Sequence, residues 1–281
     1  MARAAQLGDG RTVRVGRAIG VAIAVVTIGL LVWLAVRPVV GFERGGVADA
    51  VAANVVPFGV MVLVLALWLW LGERRGLTDL ALRPVRRPVL WVLIGVVLAV
   101  ALLLLSQALL GLAGVGGGDG DADPGDPSGN VGIGLLLLLA VSIALQSSTE
   151  ELVFRGYLMG SLRRDLGPYA SVLISAVVFG LAHALNPGAS AAYVAATFAL
   201  GVLLGFLVLG PGGLWMSCAF HFGWNATQGL SAAGETSSPD QGSGAGAGAG
   251  LWVFVLILTC YAVVAGLLCL RRSSPDAVGT A

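Results

Sequence analysis

Residues 89–113 read VLWVLIGVVLAVALLLLSQALLGLA, without one charged side chain. A helix rises about 1.5 Å per residue, so such a run covers the roughly 30 Å hydrocarbon core of a bilayer. Its apolar residues are continuous and do not alternate with period two, which excludes a transmembrane β-strand. Comparable runs recur at 18–36, 51–71, 131–153, 169–185, 191–209, 213–230 and 250–270. The sequence therefore predicts an all-α fold, a polytopic integral membrane helix bundle with about eight transmembrane helices.

Composition points the same way. Of 281 residues, 57% are hydrophobic and 11% charged. Soluble domains have about 45–50% apolar and about 25% charged residues. Mean hydropathy is +0.93. An ordinary soluble globule, a disordered chain and a collagen-like chain are excluded. A formal net charge of +1 excludes nucleic-acid binding driven by bulk charge, so no nucleic-acid partner is expected. Cys218, Cys260 and Cys269 lie in apolar runs with no CxxC pair, and give neither a disulfide framework nor a zinc signature.

All sixteen basic residues are arginines. Four precede the first span, five lie between the second and third, Arg163 and Arg164 follow the fourth, and Arg271 and Arg272 follow the eighth. Arg37 and Arg44, after the first span, are the only dissent between spans. The positive-inside rule then puts both termini in the cytoplasm. The first span is longer than the 7–15 residues of a signal-peptide core and lacks a clean small-x-small site, so it reads as a retained helix. The organisation that follows is a basic cytoplasmic segment at 1–17, three spans within 18–113, an acidic glycine-rich external loop at 114–130, a core of four spans at 131–230, a flexible Gly/Ala/Ser loop at 231–250, the last span at 251–270 and a cytoplasmic tail at 271–281. The aspartates of the acidic loop do not make a calcium loop: the sixth position is Pro124, not glycine, and the twelfth is Asn130, not glutamate.

A charge at the centre of a span costs about 2.5–3.5 kcal/mol, so ionisable residues there are rare and usually functional. Here they are few: Glu150, Glu151 and Arg155 in the fourth span, His183 in the fifth and His221 in the seventh. Glu151 and Arg155 are spaced to pair on one helix face, which offsets part of the desolvation. Glu150 points about 100° away and has no evident local partner, as suits a general base. A snorkelling charge cluster at the end of the span accounts for the same residues equally well. Phe179 and His183 share a face, as do His221 and Asn225. A histidine and an amide together can donate to an oxyanion, or can simply join two helices. Carboxylates, one histidine, and a histidine with an amide are the parts needed for amide hydrolysis without a covalent nucleophile.

Other chemistries fit less well. Ser147, Ser148, Ser175 and Ser217 are nearby, but no GxSxG or SxxK pattern occurs. Cys218 beside His221 is a weak candidate nucleophile. No HExxH is present, which leaves only a zinc site assembled from separate helices.

Taken in order, Glu150-Glu151-x-x-x-Arg155, Phe179-x-x-x-His183 and His221-x-x-x-Asn225 resemble the three motifs of the CPBP intramembrane endopeptidases, also called the CAAX prenyl protease type II or ABI family. The resemblance covers residues 130–230. It implies a glutamate-type intramembrane protease of about eight spans that needs no metal or other cofactor. Glu150 with His183 would activate water, and His221 and Asn225 would form the oxyanion hole. Glu151, Arg155 and Phe179 would shape the site. The substrate would be a peptide or membrane protein in the lipid bilayer, cut near the inner leaflet at a site opening toward the cytoplasm. An arginine-only, Ala/Gly/Val-rich composition points to a GC-rich bacterium and a multi-pass plasma-membrane location, where prenylated CAAX tails are not expected. A non-catalytic scaffold or immunity protein and a proton-coupled transporter are the alternatives. The oligomeric state is not set.

Overall fold

The computed structural model describes residues 2–42, 46–80, 85–114, 132–234 and 245–273, and no strand occurs among them. The helices are α1 (Ala2–Val40), α2 (Val47–Gly72), α3 (Pro88–Leu112), α4 (Ile133–Glu151), α5 (Gly160–Leu166), α6 (Pro168–His183), α7 (Ala191–Leu209), α8 (Gly213–Gly234) and α9 (Ala245–Ser273). A π-helical stretch, Leu152–Met159, joins α4 to α5 into one rod. The described residues make eight rods in a polytopic helical membrane bundle. Six described stretches are long and apolar enough to cross a bilayer, and α6 is a shorter apolar helix.

Local chemistry sets several boundaries. Gly167 takes φ +79° between α5 and α6, a left-handed conformation that favours glycine, and Pro168 then opens α6 where its missing N–H costs nothing. Ser190 caps α7 by accepting the Tyr193 N–H at 3.1 Å. The fourth span, expected at 131–153, runs on as helix to Leu166. Helix α8 reaches Gly234 and α9 starts at Ala245, so the expected 231–250 loop is helical at both margins. Residues 115–131, holding nearly all of the acidic loop, and 274–281, most of the tail, lie outside the described residues.

Two large apolar clusters fill most of the bundle, beside a smaller one at Leu139, Ile143 and Ala226. One joins α3, α7, α8 and α9 around Leu103, Leu204, Phe220 and Leu258. The other joins α1, α2, the π-helical stretch and α6 around Ala22, Leu65, Leu158 and Phe179. Helices α3 and α8 meet at Gly95, where a Cβ would stand 2.7 Å from the Met216 carbonyl oxygen. Such small residues let helices pack closely when lipid supplies no hydrophobic contrast. Leu93, Leu104, Leu137, Leu181 and Leu256 face outward, as a lipid-facing surface requires.

Most of the described arginines gather at one end. Arg14 grips Asp165 of α5 through two bonds of 2.6 and 3.1 Å. Beside it Glu73 accepts from Tyr157 at 3.0 Å and pairs with Arg75 at 2.7 Å. At the other end Arg37 pairs with Asp49 at 2.9 Å.

Candidate active site

Glu151 is fully buried between the two apolar clusters, and its carboxylate is saturated. Arg155 Nη1 donates to Oε1 at 2.9 Å, Ser217 Oγ donates to Oε2 at 2.6 Å, and His221 Nδ1 donates to Oε1 at 3.0 Å. Such charge-assisted bonds are what a buried carboxylate needs to offset its desolvation. Arg155 also donates from Nη2 to the Gly201 carbonyl at 3.0 Å, and its guanidinium lies 4.2 Å from the Phe179 ring centroid. Phe179 lies against that cation and against both histidines. Its ring centroid is 4.5 Å from that of His183 and 6.0 Å from that of His221. The π-helical stretch starts directly after Glu151, and the Phe154 carbonyl in it is satisfied by Ser175 Oγ at 2.8 Å.

Glu150 has different surroundings. Its Oε1 accepts from Gln146 Nε2 at 2.8 Å, while Oε2 is buried and has no hydrogen-bond partner. Two imidazoles flank that oxygen: His221 Nε2 at 3.7 Å and His183 Nε2 at 4.0 Å. Each ring is fixed through its other nitrogen. His183 Nδ1 donates to the Phe179 carbonyl at 2.9 Å, and His221 Nδ1 donates to Glu151. Both Nε2 atoms therefore face Glu150, as acceptors when neutral and as donors when protonated.

Asn225 completes the group. Its Nδ2 donates to Gln146 Oε1 at 3.1 Å and lies 3.4 Å from Ser147 Oγ. Gln146 thus bridges Glu150 and Asn225, one residue with each end of its amide.

These side chains open into a cavity of about 890 Å³ whose lining includes Glu150, His183, His221 and Asn225. Phe154 and Phe179 help to wall it off from Arg155, which does not line it. Beyond the reacting groups the cavity reaches exposed residues Leu185, Asn186 and Pro187 in the α6–α7 connection. It draws on the starts of α2, α7 and α9, the middle and end of α4, and the ends of α1, α6 and α8. That half of the bundle is the one away from the clustered arginines. Glu150 stands sixteen residues from Leu166, about 24 Å along the rod.

All seven residues singled out from sequence come together here. Sequence reasoning missed Gln146, and it weighed Ser217 only as a nucleophile. Ser217 is wholly buried and its hydroxyl proton is committed to Glu151, which leaves no free nucleophile there. Spacing could have flagged both: Gln146 precedes Glu150 by four residues, and Ser217 precedes His221 by four. Among the described residues no group of three or more His, Cys, Asp and Glu side chains is arranged to hold a metal ion.

Residues 132–227 match the family model described as Type II CAAX prenyl endopeptidase Rce1-like. That stretch holds every residue of the site. No curated protein matches the chain.

Proposed function

We propose, from the match of residues 132–227 to the family model described as Type II CAAX prenyl endopeptidase Rce1-like, that the chain is an intramembrane endopeptidase of the glutamate type. It hydrolyses a peptide bond in a membrane-associated protein or peptide. The observation that carries this reading is the unpartnered, buried Glu150 Oε2 facing His183 Nε2 and His221 Nε2 across 4.0 and 3.7 Å. Separations just over 3.5 Å suit one bridging water.

Glu150, helped by His183, takes a proton from that water as its oxygen attacks the scissile carbonyl carbon. His221 in its doubly protonated form, its Nδ1–H held by Glu151, donates from Nε2–H to the oxyanion, and Asn225 Nδ2–H donates beside it. When the tetrahedral intermediate collapses, the C–N bond breaks and Glu150 returns the proton to the departing amine. Glu151, Arg155 and Ser217 hold His221 without touching substrate, and Gln146 holds Glu150 and Asn225. General-base catalysis contributes about 10²–10⁴-fold, and one oxyanion donor about 10²–10³-fold. The mechanism uses no metal.

The test is cleavage of a peptide and membrane-protein library by detergent-purified protein, with Glu150→Gln, His183→Ala and a chelator in parallel. Loss in both variants and not with the chelator is expected. Loss with the chelator would replace this reading by a metal-dependent one. Unchanged turnover in both variants would place the activity elsewhere.

A further inference from the structure

The support of the site hangs on a stretch of uncommon backbone. Glu151 ends α4, and the next eight residues, Leu152–Met159, are π-helical. Arg155, which holds Glu151, lies inside that stretch. A π-helix is rare and survives mostly as single turns, so its neighbours must hold it in place. Winding the stretch as α-helix instead would shift the rod beyond it by about one residue, or about 100° of turn. The Arg155 guanidinium would then leave its place between Glu151 and the Gly201 carbonyl.

Two neighbours hold the stretch. On one side Ser175 Oγ of α6 donates to the Phe154 carbonyl at 2.8 Å. On the other stands the connection that follows α2. Arg74 takes φ +52° there, a left-handed conformation that a bulky residue keeps only where its surroundings fix it. The Arg75 N–H returns to the Leu69 carbonyl at 3.0 Å. This turn sets Glu73 and Arg75 against Tyr157 of the π-helical stretch. Tyr157 Oη donates to Glu73 Oε1 at 3.0 Å, and Trp68 Nε1 lies 3.1 Å from each of those two oxygens. Arg75 pairs with Glu73 Oε2 at 2.7 Å, and its guanidinium lies 5.9 Å from the Tyr157 ring centroid. Further along, Leu80 packs on Gly156, where a Cβ would stand 3.3 Å from the Leu80 Cβ. Leu80 and Tyr157 are both buried. Neither Trp68, Glu73, Arg75, Leu80 nor Tyr157 lines the cavity, so none of them acts by touching a substrate there.

We propose that Tyr157 and Glu73 are positioning residues: the bond between them pins the π-helical stretch, so that Arg155 and Glu151 keep His221 aimed at Glu150. The kinetic consequence rests on the proteolytic reading; the mechanical coupling does not.

Three variants test the kinetic consequence. Tyr157→Phe keeps the ring beside Arg75 and removes the hydroxyl alone. It is expected to lower kcat about five- to tenfold and leave KM within about twofold, the weight of one oriented hydrogen bond that no substrate touches. Glu73→Leu removes the acceptor and is expected to do the same. Glu73→Gln, whose amide oxygen can still accept from Tyr157 and Trp68, is expected to restore most of kcat. Unchanged kcat in Tyr157→Phe, a change in KM alone, or equal losses in Glu73→Gln and Glu73→Leu overturns the role of this bond.

Native cysteines test the coupling without turnover. Cys218 follows Ser217 on α8 and is half-buried, whereas Cys260 on α9 is exposed. In detergent-purified Tyr157→Phe, N-ethylmaleimide is expected to label Cys218 about five- to tenfold faster than in the wild type, as a local opening admits the reagent, and Cys260 at the same rate. Unchanged labelling of Cys218 overturns the coupling. Equal acceleration at both cysteines also overturns it, because the whole bundle would then have loosened. A wild-type protein that turns over no substrate would remove the proteolytic reading, and the labelling would still decide the coupling.

Discussion

Glu150 and Glu151 are neighbours in sequence with opposite surroundings. Glu151 has both carboxylate oxygens bonded by Arg155, Ser217 and His221, whereas Glu150 leaves Oε2 buried and unbonded beside two imidazoles. One successive step along a helix turns the side chain by about 100°, which carries the first carboxylate into the cavity and the second into the core. Glu151→Gln removes the charge partner of a fully buried arginine, and breaking such a pair costs about 3–5 kcal/mol. Glu150→Gln keeps the bond from Gln146 possible and removes only an unpartnered charge. Thermal unfolding in detergent is expected to show a large loss for Glu151→Gln and little change for Glu150→Gln, whose turnover falls about 10²–10⁴-fold. Equal destabilisation by both changes would contradict the division.

Gln146 holds Glu150 with its NH₂ and Asn225 with its carbonyl oxygen. Gln146→Met keeps the length of the side chain and deletes both bonds. Loss of an oriented polar contact is worth about 1–3 kcal/mol, or about ten- to a hundredfold in rate. The loss is expected in kcat with KM nearly unchanged, because Gln146 acts through the reacting groups and the substrate's binding contacts remain. A rise in KM alone would assign it to substrate binding instead.

Ser217→Ala separates a supporting serine from a nucleophilic one. The change leaves Glu151 Oε2 without its 2.6 Å donor, at a cost of about 1–3 kcal/mol in stability. Turnover of the folded protein should survive within about tenfold, the equivalent of roughly 1.4 kcal/mol. Abolished turnover in a protein with native stability would return the serine mechanism to consideration.

Different parts of this molecule were legible to different degrees, for physical reasons. Spans were legible because each helix must carry its own apolar length, and the 191–209 span coincides with α7 residue for residue. The Glu151–Arg155 pair was legible because both sit on one rod at i, i+4. Its link to His221 was not, because that contact joins residues seventy apart. Gln146 escaped notice because an amide carries no charge and so does not stand out against a bilayer. The π-helical stretch was hidden because its apolar residues read like those of an α-helix. The end at which the cavity opens depends on where helices separate. Small residues such as Ala50, Ala53 and Ala182 line that opening, yet alanine elsewhere in the chain packs tightly, as Ala22 does.

Gly201 joins the packing to the chemistry. Its carbonyl accepts from Arg155, and a Cβ there would stand 3.1 Å from the Phe179 ring and 3.2 Å from Ala176. Gly201→Val would push α7 away from α6 and withdraw that carbonyl from the guanidinium. Overpacking costs about 1–3 kcal/mol, and losing an acceptor from a buried cation adds to it. Gly59 in α2 has open space around the same position, so Gly59→Ala should be neutral or stabilising by up to about 1 kcal/mol. Unfolding midpoints of the two variants in one detergent measure the contrast. The Gly201→Val protein is also expected to lose turnover at temperatures where it remains folded, because Glu151 and His221 lose their fixed support. Full turnover in that folded protein would show that Arg155 needs no hold from α7.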